Sequence, residues 1–214
     1  MRALRSLVPA ALFALLSATP ARSWPSNPTV NVPVCTASNS QNEPMAISDG
    51  SGGAIMVWTD YRSGTYDIYA QRISAAGVPM WAANGLPVCN ASGNQLNPLV
   101  VTDANGGVIV SWRDGRSGSW DLYAQRLNAS GALQWTANGV AVCAATGDQS
   151  EHSMTADGSG GAVIAWSDLR GAGYDIYAQR MSGSGVAQWT ANGVVVCNQA
   201  NTQISPSVTP DTFG

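Results

Sequence analysis

Three segments of the sequence carry two aspartates, one arginine and one aromatic residue in the same order and spacing. Carboxylates, guanidiniums and aromatic rings in one loop are groups that bind polar ligands such as glycans. They are also the groups of a structural ion pair, in which the arginine bridges the two carboxylates. Repetition in every copy favours the ion pair, because active sites use different residues from different repeats. The candidate binding residues are Asp60, Arg62, Tyr66 and Asp67; Asp114, Arg116, Trp120 and Asp121; and Asp168, Arg170, Tyr174 and Asp175.

Catalytic sets of the common hydrolytic types cannot be assembled from this sequence. His152 is the only histidine, and no second supporting position completes a Ser-His-Asp set. Glu43 and Glu151 are the only glutamates, and nothing in the sequence pairs them for glycoside hydrolysis. His152 has no counterpart in the other repeats, so it is either a functional residue or a neutral sequence change in a loop. We predict no catalytic residue in this chain.

The cysteines are spaced too regularly for the usual disulfide or metal sites. Equivalent positions in adjacent repeats are usually farther apart than the Cα separation of about 4.4–6.8 Å that a disulfide requires. There is no Cys-x-x-Cys pair, which argues against zinc. We predict four buried thiols at strand ends, without disulfide or metal. They lie 54 positions apart, at Cys35, Cys89, Cys143 and Cys197.

Glycine-rich turns that begin with aspartate recur at 49–53, 103–107 and 157–161. Glycine supplies positive φ in such turns, and the aspartate can bind the loop backbone. Each turn offers one carboxylate, whereas Ca²⁺ takes six to eight oxygen ligands. We therefore predict no cofactor, with calcium as the minor alternative.

The period of 54 residues covers most of the chain and defines its architecture. Trp58, Trp112 and Trp166 keep the same spacing as the cysteines. Short apolar and β-branched runs bounded by glycine predict four strands in each unit. Four antiparallel strands in roughly 40–55 residues are typical of a β-propeller blade. We predict an all-β fold, a β-propeller of four-stranded antiparallel blades that forms an incomplete, open ring.

The repeat also predicts the domain boundaries. Closed propellers typically have four to eight blades. Three full blades therefore predict a piece of a longer protein whose remaining blades complete the ring. The alternative is an open array that oligomerises to cover its edges. We assign 24–44 to a lone outer strand and linker, 45–98, 99–152 and 153–206 to three blades, and 207–214 to the start of a truncated further blade.

The first 23 residues have the features of an export signal. Arg2 and Arg5 form a positive n-region, and the apolar run from Leu7 to Ala18 follows. Ala21 and Ser23 put small residues at the two positions that a signal peptidase recognises. The apolar run is shorter than the roughly 20 residues of a membrane-spanning helix. We predict a signal peptide over 1–23 and a secreted protein, extracellular or periplasmic.

The charge balance disfavours two classes of partner. The sequence contains no lysine, and removal of the three arginines of residues 1–23 changes the net charge from -3 to -6. Nucleic acids and anionic membranes both require dense cationic contacts. We therefore expect no nucleic-acid partner and no membrane insertion. The expected partner is an extracellular protein or glycan.

The repeat resembles a known type of sequence. The string Trp-x-Asp-x-Arg-x-Gly-x-x-Asp-Ile-Tyr-Ala-Gln-Arg, with Trp-x-x-Asn-Gly and a final Val-Cys, resembles repeats of large secreted bacterial propeller-like proteins. These often end in C-terminal sorting or FlgD-type Ig-like modules. The resemblance covers the chain from Trp24 onward and implies a propeller fold and export. It implies no activity.

Two functional hypotheses follow. The first is a non-enzymatic propeller that serves as a scaffold or recognition surface for proteins or glycans. The second is the N-terminal part of a polysaccharide-active propeller enzyme, sialidase-like or otherwise glycoside-acting, with its catalytic residues in the missing blades. The equivalence of the repeats favours the first hypothesis.

Overall fold

The computed structural model describes residues 31–210, which form twelve strands in three four-stranded sheets. The first sheet comprises β1 (Gln41–Ser48), β2 (Ala54–Asp60), β3 (Asp67–Ile73) and β4 (Leu86–Cys89). The second comprises β5 (Gln95–Thr102), β6 (Val108–Asp114), β7 (Asp121–Leu127) and β8 (Val140–Cys143). The third comprises β9 (Gln149–Ala156), β10 (Ala162–Asp168), β11 (Asp175–Met181) and β12 (Val194–Cys197).

Each sheet is an antiparallel meander in which every strand pairs with the next one along the chain. The β6–β7 hairpin places Asp114 opposite Asp121, and the other two sheets place their aspartates in the same way. The last strand of each sheet is short and ends on a cysteine. The three sheets are therefore structural copies of one unit, with a period of 54 residues.

The sheets pack face to face through two apolar clusters. One cluster joins the first two sheets and contains Ile68 and Trp112. The other joins the second and third sheets and contains Leu122 and Trp166. Both faces of the second sheet are covered, so every residue of β6 except Arg113 is buried, without the alternation of a half-exposed strand. Full burial of each aliphatic side chain contributes about 1.5–3 kcal/mol.

The first strand of each unit begins four residues earlier than we predicted, at Gln41, Gln95 and Gln149 instead of 45, 99 and 153. A β-bulge interrupts each of these strands, with Glu43, in β1, at a φ of 52°. The sequence prediction placed the start of each strand after the polar residues of the bulge, where the apolar run begins. In the structure the strand continues through the bulge on both sides. Residues 41–44, which we assigned to the linker, therefore belong to the first sheet.

Short segments without strands flank the three sheets. The predicted signal peptide and residues 24–30 of the lone outer strand lie outside the described residues, as do 211–214. Residues 31–40 contain no strand, and neither do 207–210. Val208 N nevertheless donates to Ser153 Oγ at 3.2 Å, so this segment lies against the third sheet. Across 31–210, no helix is long and apolar enough to cross a membrane.

Candidate functional site

The first aspartate of each repeated motif forms a two-point ion pair with its arginine. Asp114 is the last residue of β6, and Arg116 follows two positions later in the turn. Nε of Arg116 donates to Oδ1 of Asp114 at 2.8 Å, and Nη2 donates to Oδ2 at 2.6 Å. The Asp114 side chain is 0% exposed and that of Arg116 is 22% exposed. Asp60 with Arg62 and Asp168 with Arg170 repeat this geometry.

Further neighbours occupy the remaining polar atoms of this pair. Trp112 Nε1 donates to Oδ2 of Asp114 at 2.8 Å. Nη2 of Arg116 also donates to the backbone carbonyl of Asn138 at 2.8 Å. The guanidinium carbon of Arg116 lies 3.9 Å from the ring centroid of Tyr123. A buried carboxylate is stable only when its lone pairs are satisfied, and both oxygens of Asp114 accept hydrogen bonds.

The ion pair also reaches across the junction between sheets. Nη2 of Arg116 lies 3.3 Å from Sγ of Cys89, the last residue of β4 in the preceding sheet. Arg170 contacts Cys143 at 3.3 Å, and Arg62 contacts Cys35 at 3.2 Å. We call this arrangement, the ion pair with its tryptophan and the cysteine of the preceding unit, the interface clamp. The three interface clamps comprise Cys35, Trp58, Asp60 and Arg62; Cys89, Trp112, Asp114 and Arg116; and Cys143, Trp166, Asp168 and Arg170.

The second aspartate of each motif does not join the ion pair, so our prediction that the arginine bridges two carboxylates is wrong. Ser63 Oγ donates to Asp67 at 2.7 Å, and Ser117 Oγ donates to Asp121 at the same distance. Burial raises the pKa of Asp67 and of Asp121 above the ordinary value, and the serine hydroxyl opposes the shift. The third unit has Gly171 at the serine position.

The aromatic residues of the motifs take part in the junctions through their backbone. The carbonyl of Tyr66 accepts a hydrogen bond from Gln95 N at 2.7 Å, and that of Trp120 accepts one from Gln149 N at 2.6 Å. Tyr174 accepts one from Gln203 N at 2.8 Å. These bonds join each hairpin to the start of the next unit. All three motifs thus contribute to the packing of one unit on the next.

The aspartate turns are closed by their own backbone and by an arginine. Oδ1 of Asp103 accepts hydrogen bonds from the amides of Asn105 and Gly107, each at 2.8 Å. Oδ2 accepts from Arg126 Nε at 2.9 Å. The carboxylate therefore faces a cation inside the protein. Within residues 31–210, no group of three or more His, Cys, Asp or Glu side chains could hold a metal ion.

A pocket that the sequence did not reveal lies where the bulged first strands meet. Its volume is about 490 Å³, within the range of ligand pockets. Its polar lining includes Arg113 and His152, which have no counterpart of the same type in the other units, and Glu43 and Glu151, which occupy equivalent positions in the first and third units. We call it the Arg113 pocket. Its lining residues are Glu43, Pro44, Met45, Asn97, Pro98, Leu99, Arg113, Glu151 and His152.

Arg113 has an environment unlike that of the repeated arginines. Its Nε donates to the carbonyl of Gln149 at 3.2 Å, and its guanidinium carbon lies 4.7 Å from the centroid of the Trp120 ring. Burial lowers the pKa of Arg113, while the nearby acids, Asp148 and Glu151 among them, oppose the shift. Neither Nη nitrogen has a hydrogen-bond partner among residues 31–210.

His152 and the two glutamates complete the polar lining. Nε2 of His152 lies 3.1 Å from Ser111 Oγ. Burial, followed by repulsion from Arg113, lowers the pKa of His152 from 6.5 to about 4, so its ring is neutral at pH 7. Both oxygens of Glu43 accept hydrogen bonds from Asn97, at 2.7 and 2.9 Å.

Glu151 binds the next unit in a similar way, but through one oxygen. Its Oε2 accepts from the amide and the hydroxyl of Ser205, at 3.0 and 2.9 Å. Its Oε1 has no hydrogen-bond partner among the described residues. Each glutamate thus binds the residue 54 positions later, at the equivalent position of the repeat.

The signal that could have located this pocket is the departure from repetition. Arg113 replaces Thr59 and Ser167 of the other units. His152 stands where the other units have Pro44 and Pro98. We noted the singularity of His152 but not that of Arg113. Conversely, our candidate binding residues lie at the sheet junctions and do not line this pocket.

Comparisons with known proteins gave structural matches only. No family model matches the chain, and no curated protein matches it. A thermostable family-43 glycoside hydrolase superposes with a TM-score of 0.48 and 11% identity, over 74% of this chain and 57% of that one. A putative glycoside hydrolase from Parabacteroides distasonis gives 0.44 and 13%, over 75% and 53%. This chain therefore spans little more than half the length of either. Similarity at this level establishes neither fold nor activity.

Proposed function

We propose that the chain belongs to an exported β-propeller-type protein in which each four-stranded sheet is one blade. It acts as a non-enzymatic scaffold and recognition surface for an extracellular protein or glycan, and the pocket chemistry favours a glycan. Four-stranded meanders that stack face to face at a fixed period support the propeller arrangement. The predicted signal peptide over residues 1–23 supports export.

The outer face of the third sheet supports the presence of further blades. Val196 is 63% exposed, whereas its counterpart Val142 is 2% exposed beneath the third sheet. Trp135 Nε1 donates to the carbonyl of Gly183 in the next unit at 3.1 Å. Trp189, the counterpart in the third sheet, is 40% exposed. This face has apolar side chains at the positions of the covered faces, so it suits another unit of the same kind.

The observation that carries the proposal is the division between repeated and unrepeated polar residues. The repeated aspartates and arginines are used in the interface clamps and turns, where their hydrogen bonds are made inside the protein. Arg113 and His152, which the other units lack, lie in the Arg113 pocket beside Glu43 and Glu151. Recognition needs polar atoms that are not already paired, and the Nη nitrogens of Arg113 and Oε1 of Glu151 have no partner among residues 31–210, which favours binding at the pocket.

A glycoside-acting enzyme is the second candidate, because Glu43 and Glu151 line one pocket. Glycosidases of the common type use two carboxyl groups, one of which donates a proton to the leaving oxygen. Glu43, however, has both oxygens bound by Asn97, and Glu151 has one bound by Ser205. Two carboxylates held as hydrogen-bond acceptors favour recognition over proton transfer.

Native electrophoresis of the full chain in gels containing polysaccharides separates the two candidates. The gels contain a neutral polymer (dextran, β-1,3-glucan or galactomannan) or an acidic one (polygalacturonate), and each polymer is also assayed for new reducing ends. The proposal predicts retarded migration without new reducing ends. Release of reducing ends that Glu43→Gln or Glu151→Gln abolishes would overturn it in favour of the enzyme. Unretarded migration in every gel would overturn glycan recognition.

A further inference from the structure

We infer that the Arg113 pocket binds a neutral glycan, and that Arg113 holds it by donating two hydrogen bonds to a pair of adjacent hydroxyl groups. This inference rests on the proposed recognition function and names its site and ligand class. It is carried by three features: a cation without an ion pair, two carboxylates that repel anions, and apolar walls beside them.

Arg113 is the one arginine of the described chain that forms no salt bridge. The other arginines in residues 31–210 each pair with an aspartate, at 2.5–2.9 Å. The equivalent positions of the first and third sheets hold Thr59 and Ser167. The fold therefore does not require a cation at this position. Stacking on Trp120 and the bond to Gln149 fix the guanidinium plane. A fixed fork of N–H donors is suited to two adjacent oxygen atoms.

The charge of the pocket favours a neutral ligand over an anionic one. Glu43 and Glu151 line it together with Arg113, and the ring of His152 is neutral at pH 7. Two negative charges and one positive charge give the lining a formal charge of -1. A carboxylate, sulfate or phosphate at Arg113 would be repelled by both glutamates. A hydroxyl group avoids this repulsion, and it can also donate a hydrogen bond to Oε1 of Glu151.

The remaining walls of the pocket are apolar. Pro44 and Pro98 precede Met45 and Leu99, and all four line the space beside the charged groups. A sugar ring offers hydroxyl groups at its edge and C–H groups on its faces, so it matches a pocket with both kinds of surface. The two prolines occur in the bulges of the first strands. The ligand class is therefore a neutral, polyhydroxylated chain or its end.

The test is native affinity electrophoresis of the full chain and of two variants in gels with dextran, β-1,3-glucan, galactomannan or polygalacturonate. Arg113→Thr introduces the residue of the first unit, so the strand tolerates it. Arg180→Ser is the matched control, because Arg180 is the most exposed of the ion-paired arginines, at 40%, and does not line the pocket. Circular dichroism of both variants verifies that the sheets are intact.

The expected result is that a neutral polysaccharide retards the wild type and Arg180→Ser, while Arg113→Thr loses about tenfold or more in affinity. Equal retardation of Arg113→Thr would overturn the pocket assignment but leave recognition at another surface. Retardation by polygalacturonate alone would overturn the neutral ligand class while recognition stands. Migration that no polymer retards would overturn both the inference and the proposed glycan recognition.

Discussion

Sγ of Cys89 and Nη2 of Arg116 lie 3.3 Å apart although the two residues belong to different sheets. The same nitrogen holds the buried carboxylate of Asp114 at 2.6 Å. The interface clamp thus connects the last strand of one sheet with the central hairpin of the next. Two of the interface clamps link neighbouring sheets with equal distances, and the first links Cys35 to the first sheet, which indicates a structural role for these residues.

Arg116→Ala should lower the free energy of unfolding by about 3 kcal/mol, because it leaves the carboxylate of Asp114 buried without its partner. Equilibrium denaturation in urea measures the change. Arg113→Thr is the control: Arg113 forms no salt bridge, so only its hydrogen bond to Gln149 and its contact with Trp120 are lost, and the free energy should fall by about 1 kcal/mol. Equal stability of Arg116→Ala and the wild type would contradict a structural role for the interface clamp.

Gly139→Ala should destabilise the protein by about 2–3 kcal/mol. Gly139 has a φ of +83°, and a Cβ there would lie 2.6 Å from Cη2 of Trp112 and 2.7 Å from the carbonyl oxygen of Ala124. Gly118→Ala is the matched control: φ is +95°, but no atom lies within 4 Å of its added Cβ. Its cost should be about 1 kcal/mol, from backbone strain alone. Melting temperatures of the two variants in the reverse order would contradict the packing at Trp112.

His152 should make the stability depend on pH between about 4 and 6.5. Its pKa is lower in the folded state, so the unfolded chain binds more protons in this range and the folded state loses stability as the pH falls. The matched variant is His152→Pro, the residue of the corresponding bulges, which should reduce the loss between pH 7 and pH 5. Urea denaturation at both pH values measures it. An identical loss in the variant would show that His152 does not titrate as described.

Cys89 and Cys143 should resist thiol reagents in the folded protein. Burial raises the pKa of both thiols to about 12, so almost no thiolate is present at pH 8. All four cysteines are free in the structure, and Cys35 and Cys197 are only partly buried. Labelling with iodoacetamide and mass spectrometry should modify Cys89 and Cys143 only after unfolding. Fast modification of either in the native protein would contradict the packing of the interface clamps.

The sequence predicted the repeat and the number of strands in each unit, because the apolar runs and glycine turns are local features. It misplaced the start of β5, since the bulge puts Asn97 and Pro98 inside a strand that continues on both sides. It also predicted that Arg62 bridges two aspartates. Spacing alone could not reveal that Ser63 instead binds Asp67.

The pocket depends on contacts that no local pattern encodes. Glu43 and Glu151 are separated by two full units, and the stacking of three sheets brings them to one cavity. The sequence did contain one usable signal, namely that Arg113 and His152 are polar residues without a counterpart of the same type in the other units. Their joint position becomes visible only when the first strands are placed side by side.

The central claim is that the repeated arginines stabilise the fold whereas Arg113 binds ligand. Melting temperature and retardation by neutral polysaccharide, measured side by side for Arg116→Ala and Arg113→Thr, test it most directly. The account predicts a clearly lower melting temperature with retained binding for Arg116→Ala, and a much smaller decrease in melting temperature with lost binding for Arg113→Thr. An unchanged melting temperature together with lost binding in Arg116→Ala would contradict it.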